Sequence, residues 1–275
     1  MGLTEKLTEL RWRAAGHYRR PLPDVFVREL RGAHGLEVGG PSAVFGEGGL
    51  LPVYRSLASL DGVQWAASTS WHSLDDAQGY RPQGERSGEL HLIDGVDLAP
   101  LQSGAYDVVL CSHVIEHLAN PLRALAAWRR VTRPQGYLLM VAPHMSGTFD
   151  HRRALTPLSH MIEDFEADVA EDDLTHLEET LEHHDRSRDA EAGDFEEWAQ
   201  RRRSNASTRL LHHHTFTTPS LLSLLDHAGL ELIAAQTRMP HDIYVLGRWP
   251  AGEHAPENAA FRSSSLRSPF RADRE

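Results

Sequence analysis

The sequence has few of the features that would place a protein outside a reducing compartment. It contains a single cysteine, Cys111, inside an apolar segment, so no internal disulfide can form. The first residues lack the basic start and long apolar stretch of a signal peptide. No apolar run approaches the roughly 20 residues needed to span a bilayer. These absences predict a cytoplasmic protein with no membrane partner.

Positive charge is also scarce. The 275 residues include 28 Lys and Arg against 39 Asp and Glu, a net charge of −11 with histidine neutral. Nucleic-acid binding needs a basic surface against the phosphates, so DNA and RNA are not expected as partners. Internal repeats are lacking, and the length suits one elaborated domain or two smaller ones.

Residues 35–42, Gly-Leu-Glu-Val-Gly-Gly-Pro-Ser, combine a short apolar strand, an acid and a turn. Gly39 and Gly40 permit a tight turn, and without a Cβ they let a ligand approach the main chain. Proline suits the first turn of a helix, where its missing N–H has no partner to lose. An acid beside a glycine turn at a strand end commonly holds a nucleoside-like ligand. The full G-x-G-x-x-G pattern is absent, so a strand, turn and helix without a ligand is the alternative.

Residues 105–143 predict a second unit of the same sheet. An apolar strand over 106–111 is followed by a polar loop, a helix over 121–131, a Pro-Gln-Gly turn and an apolar strand over 137–142. Continuous apolar strands separated by a helix indicate parallel strands covered on both faces. The polar loop contains His113-Val114-Ile115-Glu116-His117.

With this loop, the chain resembles the class I S-adenosylmethionine-dependent methyltransferases, specifically a methyltransferase type 11-like domain with a helical insertion. The resemblance covers residues 30–145 and, by pattern, 205–248. It implies an α/β fold with a Rossmann-like, seven-stranded, mostly parallel sheet and an antiparallel final strand. It also implies S-adenosyl-L-methionine as the cofactor and methyl transfer as the reaction.

The rest of the chain divides by periodicity and composition. An N-terminal helical segment spans 1–30, with an amphipathic helix over 3–20, and the methyltransferase core spans 31–149 and 205–250. An acidic helical insertion over 150–204, between strands five and six, is expected to act as a substrate cap; a solvated helical excursion is the alternative. Residues 251–275 predict a disordered tail. The remaining elements expected in the core are strands over 35–38, 63–67, 90–93, 230–235 and 243–249 and a helix over 219–227.

The resemblance assigns the cofactor site to the ends of the strands. Backbone amides around Gly39–Ser42 would face the methionine portion, and Glu37 would accept from its ammonium group or anchor the loop. Asp94 matches the acid that binds the adenine amino group, or else caps the next turn. His113 would close over the sulfonium, or else make a structural hydrogen bond. The expected cofactor-binding residues are Glu37, Gly39, Gly40, Pro41, Ser42, Thr69, Asp94, Gly95, Val96, Ser112 and His113.

The ribose contact departs from the family pattern. The family places an acid just beyond the second strand, whereas here no carboxylate follows residue 67 until Asp75. Thr69 or Ser70 would replace it, with a weaker hydrogen bond than a bidentate carboxylate gives. The missing acid favours a rival interpretation, a cofactor-binding module or partner subunit without methyl-transfer activity.

Methyl transfer to a hydroxyl or amine needs a base for the acceptor proton. Histidine suits this step because its ordinary pKa lies near 6.5. His144 and His151 follow the fifth strand, whose carboxyl end faces the ligand crevice, and are the predicted catalytic residues; a structural role for both is the alternative. The acceptor is expected to be a small molecule such as a sugar, a nucleotide-sugar or a secondary metabolite, methylated on oxygen or nitrogen. If it is anionic, Arg152 and Arg153 are candidates to pair with it.

Clusters of histidine raise the question of a metal. His176, Glu179 and His183 fall on one helical face, and residues 212–214 are three consecutive histidines. Helical His and Glu at such spacing can bind a divalent ion. Consecutive histidines, however, cannot all point to one site, and acidic helices often carry histidine on a solvated face. A divalent metal is therefore the less favoured interpretation, and no metal ligand is assigned.

Overall fold

The computed structural model describes residues 22–70, 79–82, 88–252, 256–261 and 268–274. The N-terminal helix predicted over 3–20 lies outside this part of the chain. At the centre is a seven-stranded sheet. Its strands are β1 (His34–Val38), β2 (Ser59–Gln64), β3 (Leu90–Leu92), β4 (Tyr106–Ser112), β5 (Thr132–Pro143), β6 (Glu231–Arg238) and β7 (Asp242–Arg248).

The strand order across the sheet is β3-β2-β1-β4-β5-β7-β6. Neighbouring strands run parallel, except that β7 is antiparallel to both β5 and β6. The predicted Rossmann-like α/β fold, with a mostly parallel sheet and an antiparallel final strand, is therefore confirmed. The strand order reverses between β1 and β4, and ligands of open α/β sheets bind outside the carboxyl ends of the strands at such a point.

The helices of the described chain are α1 (Val25–Arg28), α2 (Pro121–Val131), α3 (Leu158–Glu166), α4 (Leu177–His183), α5 (Phe195–Arg203), α6 (Asn205–Thr208) and α7 (Thr218–His227). α2 has the predicted bounds, because Asn120 caps it by accepting from the Arg123 amide at 3.0 Å and Pro121 occupies its first position. Within the described ranges, none of these helices has the length and apolar character that crossing a membrane requires.

The alternation of β4 side chains explains its continuous apolar sequence. Val109 and Cys111 belong to one core layer, together with Trp128 of α2, whereas Val108 and Leu110 belong to the other. All five side chains are fully buried, as expected when successive residues of a strand point to two covered faces. Packing on both faces fixes β4 and places its last residue at the carboxyl edge of the sheet.

Two strand boundaries differ from the predictions. A strand was predicted over 63–67, but β2 ends at Gln64 because it pairs with the whole of β1, from His34 opposite Ser59 to Val38 opposite Val63. β5 begins at Thr132 and includes the predicted Pro-Gln-Gly turn as an irregularity in the strand. Strand ends depend on which backbone groups find partners in the sheet, and a local apolar pattern does not show this.

The described part of the tail differs from the predicted disorder. Nδ2 of Asn258 donates to the Leu230 carbonyl at 2.8 Å. The Phe270 ring stacks on His144 with 4.0 Å between centroids, and Asp273 lies 2.9 Å from the same histidine. Contacts with distant core residues hold these segments, and the composition of the tail gives no sign of such contacts.

Candidate active site

An open cavity of about 830 Å³ lies at the point where the strand order reverses. Val38, Gln64, Ser112 and Pro143, the final residues of four parallel strands, line one side of it. The other side is formed by Phe149, Glu171, Arg188, Asp189, Glu191, Arg201, Arg202, Arg209, Leu210 and His212. The volume lies within the roughly 300–1,000 Å³ of small-molecule sites. The strand ends and the insertion therefore share one cavity.

Glu37 fastens the turn that follows β1. Its buried carboxylate accepts hydrogen bonds from the hydroxyls of Tyr54 and Tyr80, at 2.8 and 2.6 Å, and from the Ser42 amide at 3.0 Å. Burial raises the pKa of Glu37, although these donors act in the opposite direction. Glu37 does not line the cavity. Of the two roles considered for it, its contacts are those of an anchor for the loop.

The glycines of this turn are required by space as well as by conformation. Gly39 has a φ of 78°, and a Cβ there would lie 2.5 Å from a methyl carbon of Val114. A Cβ on Gly40 would collide with the Glu37 carboxyl group and the Tyr80 hydroxyl. The turn thus presents main chain to the cavity. The turn residues that line the cavity are Gly39, Pro41 and Ser42, and Gly40 lies behind them.

The wall beyond β2 is formed by Gln64, Trp65 and Ser70. Because β2 ends at Gln64, Trp65 occupies the place directly after the strand, where the resemblance led us to expect the ribose-binding acid. Thr69 does not line the cavity, whereas its neighbour Ser70 does. Trp65 was not among the predicted site residues, because the apolar pattern places the end of the strand three residues too late.

Asp94 follows β3 and has both carboxylate oxygens engaged. Oδ1 accepts from the Val96 amide at 2.9 Å, and Oδ2 lies 2.8 Å from Nη2 of Arg209. Asp94 and Gly95 line the cavity, whereas Val96 is buried in the core. The turn capping considered as an alternative is therefore present, together with an ion pair that the sequence did not predict.

Arg209 lies between two carboxylates and an indole ring. Besides Asp94, its guanidinium contacts Oε2 of Glu171 at 2.5 Å and lies 5.7 Å from the ring centroid of Trp65. Burial raises the pKa of Glu171 to about 7, even though Arg209 acts to lower it. No local pattern marks this arginine, because its contacts arise from the path of the chain between α6 and α7.

His113 lines the cavity directly after β4, in a left-handed backbone conformation with a φ of 53°. Its Nε2 lies 3.1 Å from Oδ1 of Asp242, and its Nδ1 lies 3.7 Å from Oε1 of Glu116. Burial alone would lower the pKa of His113, but the hydrogen bond with Asp242 and the charges of both carboxylates raise it. The structural hydrogen bond considered for His113 is present, and its neighbour Ser112 shares its position at the cavity.

Glu116, His117 and His212 form a compact polar group in the cavity wall. Glu116 is 1% exposed, neither of its carboxylate oxygens has a hydrogen-bond partner among the described residues, and burial raises its pKa. Nδ1 of His212 lies 2.6 Å from Oδ2 of Asp150. Burial favours a higher pKa for Asp150, but His212 and Arg153 hold it well below its usual range. A carboxylate-bound imidazole beside a buried carboxyl group can bind a polar substrate group and take up its proton.

The two histidines predicted as catalytic bases do not line this cavity. His144 is completely buried, its Nδ1 accepts from the Ser146 amide at 3.2 Å, and its Nε2 lies 2.9 Å from Oδ1 of Asp273. Nε2 of His151 lies 2.9 Å from Oδ2 of Asp185. Both rings have the structural contacts considered as the alternative. A position after a strand end brings a residue near the crevice, but packing decides where its side chain points.

A glycine turn after β1 and an acid after β3 line one cavity at the carboxyl ends of parallel strands, where open α/β sheets bind their ligands. The chain belongs to the methyltransferase domain family, whose model matches residues 13–235. It therefore carries an S-adenosylmethionine-dependent methyltransferase domain, an enzyme domain whose cofactor is S-adenosylmethionine.

Several solved structures are similar over most of the chain. A SAM-dependent methyltransferase from Aquifex aeolicus is 13% identical, with a TM-score of 0.42, and the match covers 90% of this chain and 100% of that one. Burkholderia thailandensis 1,6-didemethyltoxoflavin-N1-methyltransferase, solved with 1,6-didemethyltoxoflavin and S-adenosylhomocysteine, is 16% identical over 91% and 92% of the chains, with a TM-score of 0.48. N-methyltransferase NodS from Bradyrhizobium japonicum is 13% identical over 90% and 100%, with a TM-score of 0.44.

One curated relative matches a short part of the chain. It is an uncharacterized 37.1 kDa protein in transposon TN4556 of Streptomyces fradiae, 39% identical over 56 residues. The match spans 20% of this chain and 14% of the relative's own length.

The residues of the cavity fit the cofactor of the family. Gly39, Pro41 and Ser42 form part of the cavity wall, and at Gly39 no side chain keeps a ligand from the main chain. Asp94 and Trp65 offer a carboxylate and an aromatic face on the same cavity. Because Gly39 and Asp94 line the same cavity, one ligand can reach both of them, as a nucleoside with an amino-acid tail requires.

Proposed function

We propose that the protein transfers a methyl group from S-adenosylmethionine to a small-molecule acceptor held between the sheet edge and the 150–204 insertion. The observation that carries this proposal is the shared cavity. Gly39 and Asp94 line one part of it, and Arg188 and Arg202 of the insertion line another. A concave site with walls from both sides suits a sugar, a nucleotide-sugar or a secondary metabolite.

The cofactor, when bound, supplies a methyl group activated by a positively charged sulfur. In this proposal, the main chain of Gly39, Pro41 and Ser42 holds the methionine portion, and Asp94 and Gly95 hold the adenine. Trp65 and Gln64, at the end of β2, take the place of the missing ribose acid. The proposal is supported by the position of these residues on one cavity.

The acceptor part of the cavity carries charges of both signs. The insertion contributes Arg188, Asp189, Glu191, Arg201 and Arg202 to its wall. Arg152 and Arg153, which the sequence suggested for an anionic acceptor, instead pair with carboxylates of the protein, Arg152 with Asp185 and Arg153 with Asp150. A wall of mixed charge supports a polar acceptor that forms several hydrogen bonds.

His212 is the base that this geometry supports best. The carboxylate of Asp150 binds Nδ1 of His212, which favours the tautomer with the proton on Nδ1 and the lone pair on Nε2. Nε2 would then be placed to take the proton of an acceptor hydroxyl or amine. The cofactor would supply the methyl group, and its carbon–sulfur bond would break to leave S-adenosylhomocysteine. Glu116 lies beside this imidazole and is placed to hold the acceptor group.

The second candidate function is cofactor binding without methyl transfer. Two observations favour it. The described residues 64–70 contain no carboxylate for the ribose, and Arg209 engages the Asp94 oxygen that would bind adenine. A protein of this kind would act as a binding module or as the partner of an active subunit.

Turnover with labelled cofactor separates the two candidates. The purified protein is incubated with methyl-labelled S-adenosylmethionine and a panel of sugars, nucleotide-sugars, phenols and amines, and calorimetry measures S-adenosylhomocysteine binding in parallel. We expect binding and labelled product with a subset of the panel. Binding without product on any acceptor, including an extract of small metabolites, supports the second candidate. Absence of binding at millimolar ligand contradicts both.

A further inference from the structure

Four side chains converge at a place where the insertion meets the segment before α7, and none of them lines the active-site cavity. His160 and Asp164 lie on the same face of α3, because residues i and i+4 of a helix are neighbours. His176 directly precedes α4, and His214 lies between α6 and α7. Three segments that are separate in the sequence thus contribute to one cluster.

The distances within this cluster are those of metal ligands. Nε2 of His160 lies 2.9 Å from Nε2 of His176. Oδ2 of Asp164 lies 3.6 Å from Nε2 of His160 and 3.8 Å from Nε2 of His214. A tetrahedral site with bonds of about 2.1 Å has ligands roughly 3.4 Å apart. The three separations in the cluster, 2.9, 3.6 and 3.8 Å, lie around that ligand-to-ligand distance.

Two polar atoms of the cluster are buried without a hydrogen-bond partner among the described residues. They are Oδ2 of Asp164 and Nδ1 of His214. His214 is 1% exposed, and the hydrogen bond from its Nε2 to the Ala119 carbonyl is long, at 3.4 Å. Buried polar groups in native proteins are nearly always satisfied. A cation among these side chains would satisfy the carboxylate oxygen of Asp164.

A second layer of groups surrounds the cluster. Nδ1 of His176 lies 3.6 Å from Oε2 of Glu179, which also contacts Arg153 at 3.3 Å. Metal-bound imidazoles commonly place their other ring nitrogen against a carboxylate, which orients the ring. Glu179 therefore occupies the position of an orienting group and not of a ligand.

We propose that His160, Asp164, His176 and His214 bind a divalent ion of the zinc class. Imidazole nitrogen and carboxylate oxygen are ligands that zinc accepts, and four protein ligands make a closed, structural site. The ion would join α3 and the start of α4 to the segment that carries His212 into the cavity. Ligand atoms of His160, His176 and His214 all lie within 4.8 Å of one another, and neither Glu179 nor His183 belongs to this group. Asp164 joins it through its contacts with His160 and His214.

Two other groups of side chains have ligand-like spacing in the described chain, and both lie at the cavity. In one of them, Asp242 already contacts His113 through Oδ1 and accepts from Tyr244 through Oδ2. In the other, Nδ1 of His212 is engaged by Asp150. Both groups belong to the cavity of the proposed active site, whereas the cluster around His160 does not line that cavity.

Metal analysis tests the proposal without reference to activity. The full chain is purified without a metal-affinity column from cells supplied with zinc, dialysed, and measured by plasma mass spectrometry. We expect about one zinc ion per chain, and removal of it by a strong chelator to lower the Tm by about 10 °C. Zinc well below one ion per chain, together with failure of the apoprotein to take up added zinc or cobalt, would overturn the proposal.

Variants locate the ion. His214→Ala and His176→Ala should each lose the metal, whereas His227→Ala, at an exposed position, and His212→Ala, at the cavity, should retain it. Loss of metal in His212→Ala with retention in His214→Ala would place the ion at the cavity and reject this site. If the ligand variants do not fold, the cobalt-loaded wild type decides the matter. Intense visible bands indicate the expected four-coordinate site, and the weak bands of a six-coordinate ion contradict it.

Discussion

Arg209 and Asp94 form an ion pair at the cavity, with 2.8 Å between Nη2 and Oδ2. The two residues are 115 positions apart in the sequence. One follows β3, and the other lies between α6 and α7. The acid expected to bind adenine therefore also holds the segment that leads to His212, which links the two sides of the cavity.

Replacement of Asp94 tests its role in cofactor binding. Asp94→Ala removes a charge-assisted acceptor, and we expect the affinity for S-adenosylhomocysteine to fall by roughly 10- to 100-fold. Asp97→Ala, at an exposed position in the same loop, is the control and should bind as the wild type does. Calorimetry of the three proteins makes the comparison. Equal affinities for Asp94→Ala and the control would show that adenine is bound elsewhere.

Gly40→Ala should disrupt the turn after β1. The added Cβ would meet the Glu37 carboxyl group and the Tyr80 hydroxyl, which are fixed by their own hydrogen bonds. We expect a loss of about 1–3 kcal/mol in the free energy of unfolding and weaker cofactor binding. Gly48→Ala is the matched control, because nothing lies within 4 Å of a Cβ at that position. Denaturant unfolding measures both variants, and a Gly40→Ala protein as stable as Gly48→Ala would contradict the packing argument.

His212→Ala should reduce turnover while sparing cofactor binding. Loss of a general base lowers kcat by about 10²- to 10⁴-fold, measured with an acceptor found in the panel. His151→Ala is the informative comparison, because His151 was predicted from sequence but pairs with Asp185 outside the cavity. Its kcat should stay close to that of the wild type. The reverse pattern, with His151→Ala inactive and His212→Ala active, would restore the assignment made from sequence.

Acid should destabilise the protein through His117. The pKa of His117 lies well below its usual value near 6.5, mainly because the ring is buried and secondly because of the positive charge of His212. The unfolded chain therefore binds a proton below pH 6.5 that the folded protein does not bind, and stability falls as the pH decreases from there. In His117→Gln, the slope of the unfolding free energy between pH 7 and pH 5 should be smaller by up to about 1.4 kcal/mol per pH unit. His227→Gln, at an exposed position, serves as the control, and identical slopes in the two variants would exclude His117 as the source.

The sequence predicted the fold from features that act locally or periodically. The apolar runs over 106–111 and 137–142 lie in β4 and β5, and the helix over 121–131 is α2. The turn at residues 39–42 lies on the cavity. Its two glycines predict a tight turn, because a side chain at either position would collide with neighbouring groups. These elements could be predicted because period, capping and glycine placement are encoded within a few residues.

The acceptor part of the cavity could not be predicted in this way. His144 follows the predicted strand but is completely buried, and His151 pairs with Asp185 outside the cavity. His212 and Arg209 instead reach the cavity from the segment after the insertion. The position of Trp65 depends on where β2 stops pairing with β1. Each of these positions is set by contacts between residues distant in sequence.

The sequence by itself determined the buried parallel strands and the glycine turn after the first of them, because burial on two faces and backbone freedom act through neighbouring residues. Only the tertiary structure decided which of the many histidines reach the cavity, which stack in the core, and which meet at the proposed metal site. The position of each histidine depends on how the insertion and the tail pack against the sheet. The residue type does not reveal this, because every histidine side chain has the same chemistry.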